Sequence, residues 1–505
     1  MNQPAQETPY NVACHLDHYH QPRYDAEGKL LPWLWDEHGP FHSQMRLISD
    51  WWLSVPQHNG WPIWCTAAKI RRNHEQFGGA VPACTCAMTM LAFVNYYQYT
   101  GEPRHLALAR LAGDFLINQA LTPSHFRAWP RFPWPAGKTG DPNPDGSGHP
   151  FCSAGQIMPD KGAMAGLGLV RLYQAVGDSR YLQAAQSIAR VLVANAVASS
   201  PHRSAWPFRA EADSGKPLDG PLCGNQMYVV RLLDALLELN ALERPDEAQR
   251  VRNDVWLWLE NVVIADQSGD KWQHFFEDHS GDEDNATALS ALETAKYLLN
   301  RREALTPNWQ RLVHQIIQTV EGRWTVHEGS YRAIAEQDRD RSPYNSHTAR
   351  LAAVYAGYFE HTGDESLKKS ALSSLAYAGY SVNTDGFADT YYLHDVAWTT
   401  DSFGDLLIHF NEVLTSVPEW APNTESHILR SSTILREVVY EADSVAYKAF
   451  DACGKERLKL AFQPMRVVSG SQELKTWHFD AQSQILEIER SGCSSVRVLG
   501  KLSAS

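Results

Sequence analysis

From Pro159 to Leu192 the chain reads PDKGAMAGLGLVRLYQAVGDSRYLQAAQSIARVL, and its apolar pattern changes half-way along. Ala163, Leu167 and Val170 lie on one line and Leu169, Tyr173 and Val176 on another. The first half is therefore apolar nearly all round, which predicts a helix covered on both sides by other helices. Beyond it, Tyr181, Ala184, Ala185, Ile188, Ala189 and Leu192 share one face, with Gln183, Gln186 and Arg190 between them, as in a surface helix. Gly177 can take the positive φ that ends the first helix, and Asp178 suits the N-cap of the second. The unit is an inner helix followed by an outer one.

The same phrase recurs. Tyr97 to Glu102 (YQYTGE) precedes Leu106, Ala109 and Leu111, and Phe359 to Asp364 (FEHTGD) precedes Leu367, Ala371 and Leu375. Looser copies turn near Ala241 to Pro245 and near Arg301 to Pro307. The turns fall near residues 101, 177, 241, 302 and 363, an interval of roughly 60 to 75 residues. With the unpaired helices at Ser43 to Val55 and Thr399 to Val417, the count is about twelve helices, or six hairpins, which predicts a closed ring.

After about Ser426 the period drops from 3.6 to 2. Short alternating runs from Ile434 to Tyr440, Val445 to Phe450, Arg457 to Phe462, Met465 to Val468, Leu474 to Phe479, Ile485 to Ile488 and Val496 to Val498 predict an antiparallel β-sandwich of about seven strands. The expected organisation is an irregular lead-in over residues 1–41, an (α/α)6 toroid over 42–422 and an accessory β-sandwich cap over 426–505.

The chain has 505 residues and a net charge of −13, which disfavours nucleic acid and anionic membranes as partners. No apolar run reaches the roughly 18 residues of a membrane span, and the N-terminus has no secretory pattern. The eight cysteines are scattered, with only Cys84 and Cys86 close together, as for reduced thiols. A cytoplasmic enzyme is the expectation, and the oligomeric state is not legible. Cys14, His15, Asp17, His18 and His20 lie close in sequence, but their spacing fits no standard zinc motif, so neither metal nor cofactor is expected.

The connections into the inner helices are rich in aromatic, carboxylate and arginine residues. They include Trp129 to Asp160, Trp206-Pro-Phe-Arg209 before Asn225, Trp272 to Asp278, Glu336-Gln-Asp338, Tyr344 to Arg350, and Trp398 to Asp405. In a helical toroid these loops share one rim, so the residues should converge on one cleft suited to carbohydrate. Aromatic faces stack on sugar rings, and carboxylate, Arg, Asn and His groups bind hydroxyls or an acidic group.

With Pro159-Asp-Lys161 opening an inner helix, a Gly-Asp turn and Tyr181-Leu-x-x-Ala185, the chain resembles the six-hairpin glycosidase and polysaccharide lyase superfamily, most closely its unsaturated glucuronyl hydrolase and β-glucuronidase branches. The resemblance implies that Asp160 is the acid/base group. Where the family carries its other prominent Asp, this sequence has Cys84. Glycoside cleavage needs two carboxyl groups, and Asp160, Glu277, Glu336 and Asp401 are the expected set, with His347 as a further acid/base group and Asp278 and Asp405 as reserves. Trp206, Arg209, Asn225, Tyr344, Arg350 and Trp398 are the expected substrate contacts, the arginines holding a uronate. A lyase or sugar epimerase on the same scaffold is the alternative reading, using Asn225, Tyr344 and His347. A non-catalytic glycan-binding protein is the third.

Overall fold

The computed structural model describes residues 17–35, 39–149, 152–274 and 285–502. Twelve α-helices occur among the described residues. The inner ones are α2 (Pro82–Thr100), α4 (Pro159–Val176), α6 (Met227–Glu238), α8 (Ala288–Arg301), α10 (Asn345–Thr362) and α12 (Leu406–Ser416). Each packs on the next, and α12 packs back on α2, so the ring closes. Outside it run α3 (Pro103–Gln119), α5 (Ser179–Ala194), α7 (Pro245–Trp258), α9 (Trp309–Trp324) and α11 (Glu365–Gly379). The helix α1 (His42–Ser54) packs on α12 and completes the sixth pair across the chain's two ends.

The turn chemistry accounts for the repeat. Gly177 ends α4 in the left-handed region at φ 78°, and Asp178 caps α5 by accepting from the Arg180 N–H at 3.0 Å. Gly101 with Glu102, and Gly363 with Asp364, do the same at two other hairpins. The two looser copies use Asn240 and Arg302 at positive φ instead, which is why their sequence signal is weaker.

The last helical turn is Pro418–Trp420, and the first strand of the C-terminal sheets is His427–Ser431. One sheet has the order His427–Ser431, Gly454–Lys459, Ile485–Arg490, Trp477–Asp480; the other has Leu435–Tyr440, Ser444–Ala449, Ser495–Leu502, Phe462–Ser469, Gln472–Glu473. All pairings are antiparallel. Among the described residues these sheets have nine strands rather than about seven. His427–Ser431 escaped notice because its first three residues are all buried, so it does not alternate, and Gln472–Glu473 is only a two-residue edge. Val445, Tyr447, Leu458, Phe462, Leu486 and Val498 form the core between the sheets.

Because each inner helix pairs with an antiparallel outer one, α12 with α1, all six inner helices point the same way. The sandwich packs on their C-terminal ends. Tyr440 Oη donates to the Gln98 carbonyl at 2.6 Å, Arg436 Nε donates to the Gln174 carbonyl at 3.0 Å, and Arg430 and Arg457 both bind Glu360, at 2.7 and 2.6 Å. It therefore does not cap the end where the inner helices begin. No described helix is long and apolar enough to cross a membrane.

Candidate active site

The N-terminal ends of the inner helices surround one cleft. Cys84 and Met88 come from α2, Lys161 and Met164 from α4, and Tyr228 from α6 with Asn225 just ahead of it. Leu289 comes from α8, Arg350 from α10 with Tyr344 at its N-cap, and Thr400, Asp401 and Asp405 from the π-helical turn Thr400–Asp405 that leads into α12. Glu336 enters from a loop and Trp398 from the short strand Ala397–Trp398. The positive dipole ends of the inner helices thus face one space, which favours anionic groups there. A π-turn at such a place aims side chains that a regular helix would direct elsewhere.

Glu336 is the centre of the acidic wall. Its Oε1 lies 2.7 Å from Nε2 of the fully buried His347, and Asp401 Oδ1 lies 3.6 Å from the same nitrogen. Burial pushes the Glu336 carboxyl up, against the pull of His347, and nearby Asp401 pushes it further. Burial works against a charged imidazole, but Glu336 and Asp401 outweigh it and bring His347 up to about 9. Arg350 Nη1, which can only donate, stands 2.7 Å from Nδ1. In this arrangement a neutral ring carries its proton on Nε2, and the second proton that the two carboxyl groups favour must displace the guanidinium, which opposes it. Asp401 also accepts from Ser346 Oγ at 3.1 Å and Thr400 Oγ1 at 2.7 Å.

Arg350 is occupied by the protein. Its Nε donates to Glu293 Oε1 at 2.9 Å, and its Nη2 donates to Asp405. Asp405 is bound in turn by His409 at 2.9 Å, and Lys296 and Arg231 hold Glu293 at 3.0 and 2.8 Å. Burial opposes charge on Asp405, yet Arg350 and then His409 hold its carboxyl at about 2. The sequence reading missed Glu293, Lys296 and His409. Their signal was charge on the otherwise apolar inner helices α8 and α12.

On the opposite wall, Asp160 is buried in the first turn of α4. Its Oδ2 accepts from Asn225 Nδ2 at 2.9 Å and from Lys161 Nζ at 3.1 Å. Met158 is the N-cap of α4, so Asp160 is not a capping residue. Lys161 and Asn225 line the cleft, and Asp160 stands behind them. The carboxylate raises the Lys161 ammonium against the effect of burial.

Several expected contacts lie elsewhere. Trp206 is fully buried in the hydrophobic core, its Nε1 donating to the Leu192 carbonyl at 3.0 Å, so its face is not open to a sugar. Arg209 is buried on the strand Arg209–Glu211, stacks on Phe208 and pairs with Asp219 at 3.0 Å, away from the cleft lining. In the long loop after α3, Trp129, Phe132 and Trp134 are core residues rather than a binding platform. Trp398 does line the cleft, with Lys69 Nζ 4.3 Å over its ring. Tyr344 lines it too, its hydroxyl donating to Asp340 at 2.7 Å. Glu277 and Asp278 lie outside the described residues, as do Cys14 and His15.

Two groups among the described residues have ligand atoms close enough to hold a metal: Glu336, His347 and Asp401, whose donor atoms lie within 4.8 Å of one another, and His42, Glu425 and His427. Neither includes Asp17, His18 or His20.

No family model and no curated protein sequence matches the chain. Among solved structures, a sugar epimerase from a ruminal bacterium superposes at a TM-score of 0.56 and 14% identity, covering 74% of this chain and 98% of its own. The chain has the six-hairpin (α/α)6 fold. Cellobiose 2-epimerase from Spirochaeta thermophila gives a TM-score of 0.55 at 13% identity, covering 74% and 97% of the two chains. A family 76 glycoside hydrolase from a bovine Bacteroides thetaiotaomicron strain gives 0.51 at 11% identity, covering 75% and 77%. These neighbours are carbohydrate-active enzymes of more than one reaction type, so the reaction has to be argued from the site.

Proposed function

We propose that this protein is a glycoside hydrolase in which Glu336 is the proton donor and Asp401 the partner carboxylate. The observation that carries the reading is the Glu336 carboxyl, buried, raised in pKa and facing the cleft, with an Asp401 oxygen within 4.8 Å. A carboxyl held protonated can give its proton to the leaving oxygen. An ionised neighbour can attack or stabilise the sugar cation, and separations of about 5 Å suit the retaining course. His347 positions Glu336, and Asp160 positions Lys161 and Asn225.

A uronate preference would rest on Arg350 and Arg209. Arg350 bonds Glu293, Asp405 and His347, and Arg209 pairs with Asp219 outside the cleft lining. We therefore assign the substrate as a glycan whose unit in the cleft needs no carboxylate. Trp398, Tyr344 and Tyr228 supply ring faces, and Asn225 and Lys161 supply donors to hydroxyls.

Epimerisation is the second reading, favoured by the epimerases among the structural neighbours. It would use the Glu336–His347 pair to move a proton at carbon. Digestion of a glycan panel in D2O separates the two. New reducing ends without deuterium at carbon support hydrolysis, whereas deuterium in an uncleaved sugar would replace it with epimerisation.

A further inference from the structure

Away from the cleft, the start of α1 meets the lead-in to the first C-terminal strand. There His42 Nε2 lies 3.6 Å from Glu425 Oε2, and His427 Nε2 lies 3.7 Å from the same oxygen. The two imidazole rings are 5.0 Å apart, and both are buried. Ligands about 2.05 Å from a tetrahedral zinc stand about 3.3 Å from one another, so the two distances to Glu425 need change by only a few tenths of an ångström, and all three ligand atoms lie within 4.8 Å of one another. The other carboxylate oxygen, Oε1, faces Arg46 at 3.8 Å.

The surrounding groups orient the ligands. His427 Nδ1 stands 2.8 Å from the Tyr99 carbonyl, which can only accept, so Nδ1 carries the proton. In the neutral ring Nε2 is then a lone pair aimed toward a carboxylate oxygen. His42 Nδ1 is held 2.8 Å from Tyr99 Oη, and the Tyr99 ring lies parallel to that of His427 at 4.0 Å. One residue thus fixes both histidines, in the way outer-shell partners fix metal-binding imidazoles. A single divalent cation would take the Nε2 lone pairs of both rings and the Glu425 carboxylate with both rings neutral.

We propose that His42, Glu425 and His427 form a zinc site that joins the helical ring to the C-terminal sheets, with water completing the tetrahedron. The ligands are separated by more than 380 residues, His42 against His427, which is why no spacing motif announced them. The site is independent of the glycosidase reading.

Zinc content of the full chain, purified with added ZnCl2 and dialysed, tests this. One zinc per chain is expected in the wild type and in the control His347→Asn, and less than a tenth of that in His427→Ala and in Glu425→Gln. Glu425 is 37% exposed, so the Glu425→Gln variant should fold even if His427→Ala does not. EDTA should lower the Tm of the wild type and leave that of Glu425→Gln unchanged. Absence of bound zinc in the wild type, or full zinc content in folded Glu425→Gln, would overturn the proposal. So would loss of zinc from His347→Asn alone.

Discussion

The ring of His347 links a carboxyl group to a guanidinium: Nε2 lies 2.7 Å from Glu336 Oε1, and Nδ1 lies 2.7 Å from Arg350 Nη1. Glu336 faces the cleft while Arg350 is anchored in the buried lattice of Glu293 and Asp405, so the histidine transmits the position of the lattice to the candidate acid.

Replacing Glu336 by Gln keeps its shape and removes its proton. Turnover of an unactivated glycan should fall by about 10² or more, the usual worth of a general acid. An aryl glycoside with a good leaving group should lose far less, because it needs little protonation. Equal losses on both substrates, measured with a Tm close to wild type, would remove Glu336 from the role of acid.

Replacing His347 by Asn should move the pH profile as well as the rate. His347 lowers the pKa of Glu336, so its loss should raise that pKa further. The acid then stays protonated to higher pH, and the basic limb of kcat/KM should shift upward. An unshifted limb would mean that His347 does not act through Glu336.

Arg350→Ala should cost stability before specificity. It leaves Glu293 and Asp405 facing each other without the guanidinium between them, and breaking a buried pair in this way costs about 3–5 kcal/mol. Urea unfolding should show that loss. Any activity that survives should fall alike on uronides and matched neutral glycosides. A loss confined to uronides would restore Arg350 as a substrate carboxylate binder.

Glu360 gives the junction its pH dependence. Burial opposes its charge, but Arg430 and Arg457 hold its carboxyl at about 2 against an ordinary 4.5. A lowered carboxylate stabilises the fold above its unfolded pKa, and that contribution is lost as pH falls from about 4.5 to about 2. The shift corresponds to roughly 3 kcal/mol in order of magnitude. Glu360→Gln should therefore be less stable at pH 7 by up to that amount, with a flatter loss of stability below pH 4.5, read from urea midpoints across pH.

What the sequence determined by itself was the repeating unit. Gly177 followed by Asp178, between an all-round apolar helix and a one-sided one, is a local statement about φ, capping and burial, and three turns of that kind carry the ring. The change from period 3.6 to period 2 near Ser426 is equally local and places the sheets. The N-terminal turns that line the cleft follow from the inner and outer order, so Glu336, Tyr344, Trp398 and Asp401 could be assigned to one rim. Tertiary structure alone decided which polar side chains are available there. Trp206 and Arg209 have the composition of a sugar site, but packing turns one into the core and gives the other to Asp219. Arg350 meets Glu293 and Asp405 only because α8 and the π-helical turn that leads into α12 both pack on α10 around the ring. Periodicity reports which face of a helix is buried; it carries no information about which buried charge, 55 or 57 residues away, stands opposite.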